Sequence, residues 1–292
     1  EQTMRKAIAE MLHRSAGALQ AEKPVQRQEW LERVLQISLS LEYRQRPNLS
    51  FDDVGFDLYS STGEDGILLY VFSQIGFGDR RCVDIGAGGV EGSNVKNLIT
   101  HHGFHALLVD ADRESIERAR AHYGERMPVP PEFLAQRVTV EQVNDALRER
   151  GFTGPIDLLC IDIDGVDYWM WKAIEVIEPR VVLIEYQDIL GPERSCTVPY
   201  RADFDVRSFP VNRERYNYCG ASLRALTRLG TDKGYRLVGC NRGGWNAFFV
   251  KRGIGDAALP EVSIDSCFRY AWNRFGIENR FPLVERMEWV EV

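Results

Sequence analysis

Four carboxylates stand where apolar runs of this sequence end or break: Asp84 within Cys82 to Ile85, Asp110 after His105 to Val109, Asp162 after Ile156 to Ile161, and Glu185 after Val181 to Ile184. An acid at the mouth of a buried strand suits a short list of tasks. It can accept the hydroxyls of a ribose, hold a cation through oxygen, or take a proton from a substrate. The first two acids favour the ribose task, because Asp84 leads into Gly86-Ala87-Gly88-Gly89 and Asp110 closes the next strand. Glycines there let the backbone turn through positive φ and lie close to a ligand. The helix that follows, with Val95, Leu98 and Ile99 at helical spacing, aims its free N–H groups at the same place. A glycine turn and then an acid ending the neighbouring strand describe the nucleoside-binding half of a doubly wound sheet. The competing explanation is a tight strand-to-helix connection and nothing more.

Asp162 and Glu185, with Asp164 and Asp167 close by, are oxygen ligands of the kind Mg²⁺ takes. Helix capping and cofactor contact account for Asp162 and Asp164 without a metal. No histidine occupies an evident catalytic position, since His13, His101, His102, His105 and His122 fall on helices or at a strand start. Proton transfer is therefore left to carboxylates, and the candidate catalytic set is Asp162, Glu185 and the adjacent Tyr186.

The elements that must carry these groups alternate strand and helix. Strands are expected at Cys82–Ile85, His105–Val109, Phe133–Val138, from Ile156, and at Val181–Tyr186 after Pro179. Helices are expected at Arg113–Tyr123, Val143–Arg150, Tyr168–Ile177 and Ala221–Leu229. This alternation gives a parallel sheet covered on both faces, with functional groups gathered at the carboxyl ends of the strands. Two final runs, Tyr235–Asn241 and Trp245–Val250, joined across Arg242-Gly243-Gly244, read as an antiparallel hairpin. Ahead of the sheet, Thr62 precedes Glu64 and Asp65 at a helix start, a capping pattern whose acids also lie within reach of a ligand.

The sequence divides into an N-terminal helical extension (1–50), a core (51–253) and a C-terminal extension (254–292). The extension at the start reads as two amphipathic helices, one marked by Met4, Ile8, Met11, Leu12 and Leu19, the other by Trp30, Leu31, Val34, Leu35 and Leu41. Their apolar faces suit the cover of a sheet or a homodimer contact. Within the core, 187–220 loses all periodicity and interleaves Arg201, Arg207, Arg213 and Arg215 with Tyr200, Tyr216 and Tyr218. A long unpatterned segment in a compact domain is commonly functional, and this one is the candidate substrate loop for an anionic or sugar-like partner.

A chain of 292 residues with 44% hydrophobic content can bury a large core, and a net charge of -7 argues against nucleic acid or an acidic membrane as partner. The six cysteines show no CxxC pair, and Cys82, Cys160 and Cys240 lie in strand-like runs as small buried hydrophobes. That pattern, with no apolar run long enough to span a bilayer and no leader-like start, points to a cytoplasmic protein.

Between about residues 58 and 251 the sequence resembles the class I S-adenosylmethionine-dependent methyltransferases, and more narrowly the FkbM-like group. The resemblance is carried by Tyr59-Ser-Ser-Thr-Gly-Glu-Asp65, Val83-Asp-Ile-Gly-Ala-Gly88 followed by Ser93-Asn94, Asp110, Ile161-Asp-Ile-Asp-Gly165 and the terminal hairpin. The direct step from Gly88 to Gly89 is shorter than in many such proteins. The resemblance implies an α/β doubly wound, mostly parallel Rossmann-like sheet with a terminal antiparallel hairpin, and S-adenosylmethionine (SAM) as cofactor. It implies a cofactor set of Glu64, Asp84, Gly86, Ala87, Gly88, Asn94, Asp110, Ala111 and Asp162. By the same resemblance Asp110 takes the ribose, Ala111 or, outside that set, Asp112 flanks the adenine, Thr139 to Gln142, also outside it, meets its edge, and Asp84 faces the ammonium group. The implied activity is methyl transfer to a small molecule, at oxygen with nitrogen as the alternative, on a sugar or natural-product intermediate. Mg²⁺ held by Asp162 and Glu185 would assist, as acids at equivalent strand ends do in enzymes resembling macrocin O-methyltransferase. Two other functions stay open: a nucleotide-binding scaffold without catalysis, and a nicotinamide-dependent oxidoreductase, although Gly86-x-Gly88-x-x-Glu91 lacks the third glycine of the dinucleotide fingerprint.

Overall fold

The computed structural model describes residues 24–292 apart from Glu125. The first expected N-terminal helix lies outside the described residues; the second is α1 (Pro24–Tyr43). The core strands are β1 (Arg81–Ile85), β2 (His105–Asp110), β3 (Glu132–Ala135), β4 (Gly154–Ile161) and β5 (Ile177–Glu185). After β6 (Cys196–Thr197) come β7 (Tyr235–Cys240), β8 (Asn246–Lys251) and β9 (Val290–Glu291). The helices between them are α2 (Glu64–Ile75), α3 (Lys96–His102), α4 (Arg113–Gly124), α5 (Val143–Glu149), α6 (Asp167–Ala173) and α7 (Leu223–Asp232).

Seven strands form one sheet in the order β3-β2-β1-β4-β5-β8-β7, parallel from β3 to β5, with β8 antiparallel to both neighbours. The expected fold class and terminal hairpin are both present. Alternation along the strands sorts the core. Cys82, Leu108, Cys160 and Leu183 point to one face, packed under α2, α3 and α4, while Val83, Leu107, Leu159 and Val182 point to the other, under α5, α6 and α7. Asp84, Asp110, Asp162 and Glu185 each stand two residues past a member of the first set, so strand period alone turns all four toward the same face. Register does the rest. Ile85 pairs with both Val109 and Ile161, and Ile161 pairs with Ile184, so Asp110, Asp162 and Glu185 occupy the next row at the carboxyl edge.

Several boundaries differ from expectation, among them α7, which runs three residues past Leu229 to Asp232. β3 ends at Ala135, where Gln136 donates its N–H to the Asp110 carbonyl and the chain turns into the cleft. Helix α6 stops at Ala173, and β5 starts at Ile177 with Pro179 inside it, paired with Ile156. Pro179 is tolerated because β8 pairs with β5 only from Val181 to Glu185, so its missing N–H leaves no ladder bond unmade.

Helix α1 shows the opposite orientation to the one its leucines suggest. Leu31 is 50% exposed and Leu35 61% exposed, whereas Gln36 and Tyr43 are buried. Polar contacts decide this. Gln36 exchanges hydrogen bonds of 2.9 and 3.0 Å with Asn97 and meets the His102 ring nitrogen at 2.7 Å, partners that exist only on the sheet side. Leaving those buried groups unpaired would cost more than exposing two leucines.

The segment 187–220 is not structureless. It holds 3-10 turns at Asp188–Leu190, Val206–Ser208 and Pro210–Asn212 together with β6, around a small core of Ile189, Leu190, Val198, Phe204 and Tyr218. Phe281 and Val284 of the C-terminal extension complete that core, and β9 pairs with β6. All six cysteines are free and buried. Among the described residues no helix is long and apolar enough to cross a membrane.

Candidate active site

A cavity of about 710 Å³ opens at the carboxyl edge, over β1, β2 and β4. Gly86 begins its floor with φ of 92°. A side chain there would put its Cβ 1.7 Å from the Asp162 carbonyl oxygen, so the glycine is required first by the approach of two strand ends and only then by a ligand. Gly88 follows with φ of 60° and lines the cavity.

Asp110 is held rigidly. One carboxylate oxygen accepts the Gly88 N–H at 2.8 Å and the other accepts the Asp112 N–H at 2.7 Å, tying the glycine turn to the end of β2. Its outer lone pairs remain for a hydroxyl donor, as two backbone bonds use only part of a carboxylate's capacity. Asp84 sits directly behind, 2% exposed, beside Cys160. Burial, with the Asp110 charge adding to it and Cys160 opposing, pushes Asp84 up to about 7. Asn94 donates to Cys160 Sγ at 3.7 Å and so closes the back of this wall.

At the other end, carboxylate oxygens of Asp162, Asp164 and Glu185 lie within 4.8 Å of one another. Asp164 reaches this position with φ of 51°, a left-handed conformation that an unbranched residue such as Asp tolerates and that is held in place by Asp167. Asp167 accepts the N–H groups of Ile163 at 2.9 Å and Gly165 at 3.0 Å, shaping the turn that presents Asp164. Burial and then mutual repulsion raise the proton affinity of Asp162 and Glu185 well above the carboxylate range, and burial with Asp167 raises Asp164 to about 6 against the pull of Arg207. Glu185 Oε2 is buried without a hydrogen-bond partner. An all-oxygen donor set with an unpaired acceptor and excess negative charge fits a hard divalent cation.

The cavity wall carries Gly86, Gly88, Asp110, Ala111 and Asp162 of the expected site, and Asp112 and Thr139. Glu64, Asp84, Ala87, Asn94, Glu185 and Tyr186 do not reach that wall. Glu64 is 1% exposed and accepts hydrogen bonds from Thr62, Asn241 and Asn246, joining the lead-in of α2 to the hairpin. The α2 cap is Gly63 rather than a hydroxyl residue, while Asp65 gathers the N–H groups of Leu58, Tyr59 and Ser60. Tyr186 requires correction as a catalytic candidate: it is 1% exposed, and its hydroxyl turns to the Cys267 carbonyl at 3.5 Å in the core under α7. Strand alternation explains this, because the residue after Glu185 faces the opposite side of the sheet.

Sequence reasoning missed Gln136 and Arg137, which line the cavity just past β3. The signal lay in the polar break after Phe133 to Ala135, read there as more strand. From the segment 187–220, Tyr200, Arg201, Arg207 and Tyr216 line the cavity, and Arg213 and Arg215 do not.

No protein-family model matches the sequence, and no curated protein matches it. Among solved structures, the chain is similar to magnesium protoporphyrin IX methyltransferase from Synechocystis with bound SAM, at 10% identity and a TM-score of 0.39, over 64% of this chain and 77% of that one. It is similar to a cyclopropane synthase from Mycobacterium tuberculosis at 14% identity and a TM-score of 0.38, over 65% and 72% of the two chains. A SAM-dependent methyltransferase from Clostridium acetobutylicum aligns at 11% identity and a TM-score of 0.41, over 74% and 98%. Likeness at this level carries no conclusion about chemistry. The strand order with its antiparallel β8 is the arrangement expected of the class I methyltransferase Rossmann-like fold.

Proposed function

We propose that this protein is a SAM-dependent methyltransferase acting on a hydroxyl of a small-molecule acceptor, assisted by a divalent cation. The observation that carries the proposal is one cavity whose two ends are built differently: Asp110, fixed by backbone N–H groups, lines one, and Asp162 and Asp164 line the other, with the Glu185 carboxylate grouped with them behind the wall. A volume of about 710 Å³ suits a nucleoside cofactor together with part of a second molecule.

When bound, the sulfonium cofactor supplies an electrophilic methyl group, and a divalent cation lowers the pKa of a hydroxyl it touches. The chain's own residues do the remainder. Asp110 accepts ribose hydroxyls, Gly88 leaves room for the chain of the donor, and Ala111, Asp112 and Thr139 bound the adenine. Asp162 and Glu185 would hold the cation, and Asp164, on the cavity side, would take the hydroxyl proton. Fixing the acceptor behind the methyl is worth on the order of 7–11 kcal/mol in favourable systems, so alignment contributes more than acid–base chemistry. Tyr200, Arg201, Arg207 and Tyr216 at the far wall suit an anionic or sugar-like acceptor. The exposed Leu31, Leu35 and Ile37 on α1 support a homodimer, which light scattering of the wild type and Leu35→Glu tests.

Calorimetry with S-adenosylhomocysteine, and thermal unfolding with MgCl₂ against EDTA, test the two halves separately. Micromolar binding of the nucleoside and a Mg²⁺-dependent rise in the unfolding temperature are expected. Absence of nucleoside binding removes the methyltransferase assignment; absence of any response to Mg²⁺ or Mn²⁺ removes the cation.

A further inference from the structure

One wall of the cavity is a strap, residues 199–205, that belongs to the acceptor segment yet is fastened to the cofactor side. Arg137, two residues past β3, donates from Nη1 to the Phe204 carbonyl at 2.6 Å. The Tyr200 hydroxyl donates to Glu141 at 2.8 Å, just before α5. Phe204 itself rests on Gly165 of the acidic turn, where a Cβ would come within 2.9 Å of its ring. Thus the middle of the strap touches both ends of the cavity at once.

Its ends are anchored independently of these contacts. On one side the Val198 N–H bonds to the Gly220 carbonyl at 3.1 Å, and Trp169 Nε1 donates to the Val198 carbonyl at 2.8 Å. On the other, Asn212 donates to the Val206 carbonyl at 2.9 Å and accepts the N–H groups of Asn217 and Tyr218 at 2.8 Å each. Between these ends, a part-buried hydrogen bond from Arg137, an exposed one from Tyr200, and the ring of Phe204, seated against Gly165 and the rings of Phe209 and Tyr218, hold the strap down. The Asn212 anchor is buried, whereas the Tyr200–Glu141 contact is exposed to solvent.

We infer that the strap is a latched gate over the nucleoside, with Arg137 and the Tyr200–Glu141 pair as its latches, so that cofactor exchange requires the acceptor segment to lift. This rests on the proposed methyltransferase function for the identity of the nucleoside. Arg137 is a positioning residue here: it joins the wall beside the adenine to the segment facing the acceptor. In this gate product nucleoside leaves as the strap lifts, and lifting also disassembles the acceptor wall formed by Tyr200, Arg201 and Phe204.

The test uses S-adenosylhomocysteine and the whole chain, with Trp169, whose ring lies 6.4 Å from Tyr200, as fluorescence reporter. Stopped-flow dissociation is expected to speed up about tenfold for Arg137→Ala and for Tyr200→Phe, and further for the double variant, as each loses one hydrogen bond. Arg137→Lys, which keeps a donor, is expected to recover part of the difference, a result that a purely structural defect would not give. Trypsin cleavage after Arg201 and Arg207 in the ligand-free protein provides a second readout, expected to be faster in Arg137→Ala. Dissociation rates equal to wild type in both singles and the double overturn the gate. If wild type binds no nucleoside, the proposed function fails by itself, and unchanged trypsin cleavage in Arg137→Ala then overturns the latches.

Discussion

The two ends of the cavity treat their carboxylates in opposite ways. At the end of β2, Asp110 has a backbone N–H on each oxygen, so its charge is matched before any ligand arrives. At the ends of β4 and β5, Asp162, Asp164 and Glu185 face one another, and Glu185 Oε2 has no partner at all. The difference teaches which part of the site is preorganised and which is incomplete. Glycine turns supply spare N–H groups that neutralise an acid at β2; the Asp162 to Gly165 turn spends its N–H groups on Asp167 and leaves its other acids bare.

The largest effect is expected at the incomplete end. Asp162→Asn and Glu185→Gln should lower methyl transfer, measured as label passing from SAM to small molecules of a cell extract, by about 10³-fold, near 4 kcal/mol. Both should also abolish the Mg²⁺-dependent thermal shift; a shift retained in both would dissolve the contrast between the two ends.

Asp84, behind the matched end, shows what burial without a full set of donors does. Its proton is held up to about pH 7 in the folded chain and lost near 4 in the unfolded one. The native state therefore binds the extra proton between those values, and stability should fall as pH rises from about 4 to about 7, by on the order of 3–4 kcal/mol. Urea unfolding of cofactor-free wild type and Asp84→Asn at pH 5 and pH 8 checks this. The variant should lose less stability than wild type between the two, and equal losses would mean that Asp84 ionises freely.

Removing the matched carboxylate should matter next. Asp110→Ala is expected to weaken S-adenosylhomocysteine binding by about 10–100-fold in calorimetry, the scale of one or two hydrogen bonds to a charged acceptor. An unchanged affinity would strip the β2 end of its ligand role. The smallest effect belongs to the far wall. At limiting acceptor, Arg207→Ala should slow label transfer about fivefold, in line with one partly solvated charge contact. Arg215→Ala, outside the cavity, should leave the rate as it is; equal losses in the two would mean that the segment recognises its partner by total charge and not by position.

How much of this was legible beforehand depends on the range of the interaction. The glycine turn, the acids at strand ends, the parallel sheet and the hairpin are local patterns, set by φ, by a period of two and by alternation of strands with helices, and the sequence by itself determined them. It also marked 187–220, from its arginines and tyrosines, as a candidate acceptor segment, and four of those residues line the cavity. Tertiary structure alone decided that α1 turns Gln36 inward to meet Asn97 and His102, 61 and 66 residues away, against the pull of its leucines. It alone seated the strap through Arg137 and Phe204, 67 residues apart, and turned Tyr186 into the core. It chose Asp164 over Asp167, both legible beside Asp162 and Glu185, as the third acid of the group, through a left-handed conformation that no periodicity announces. Periodicity encodes which face a side chain takes within its own element; which partner waits on that face is fixed only when distant segments pack and every buried polar atom must find a donor or acceptor.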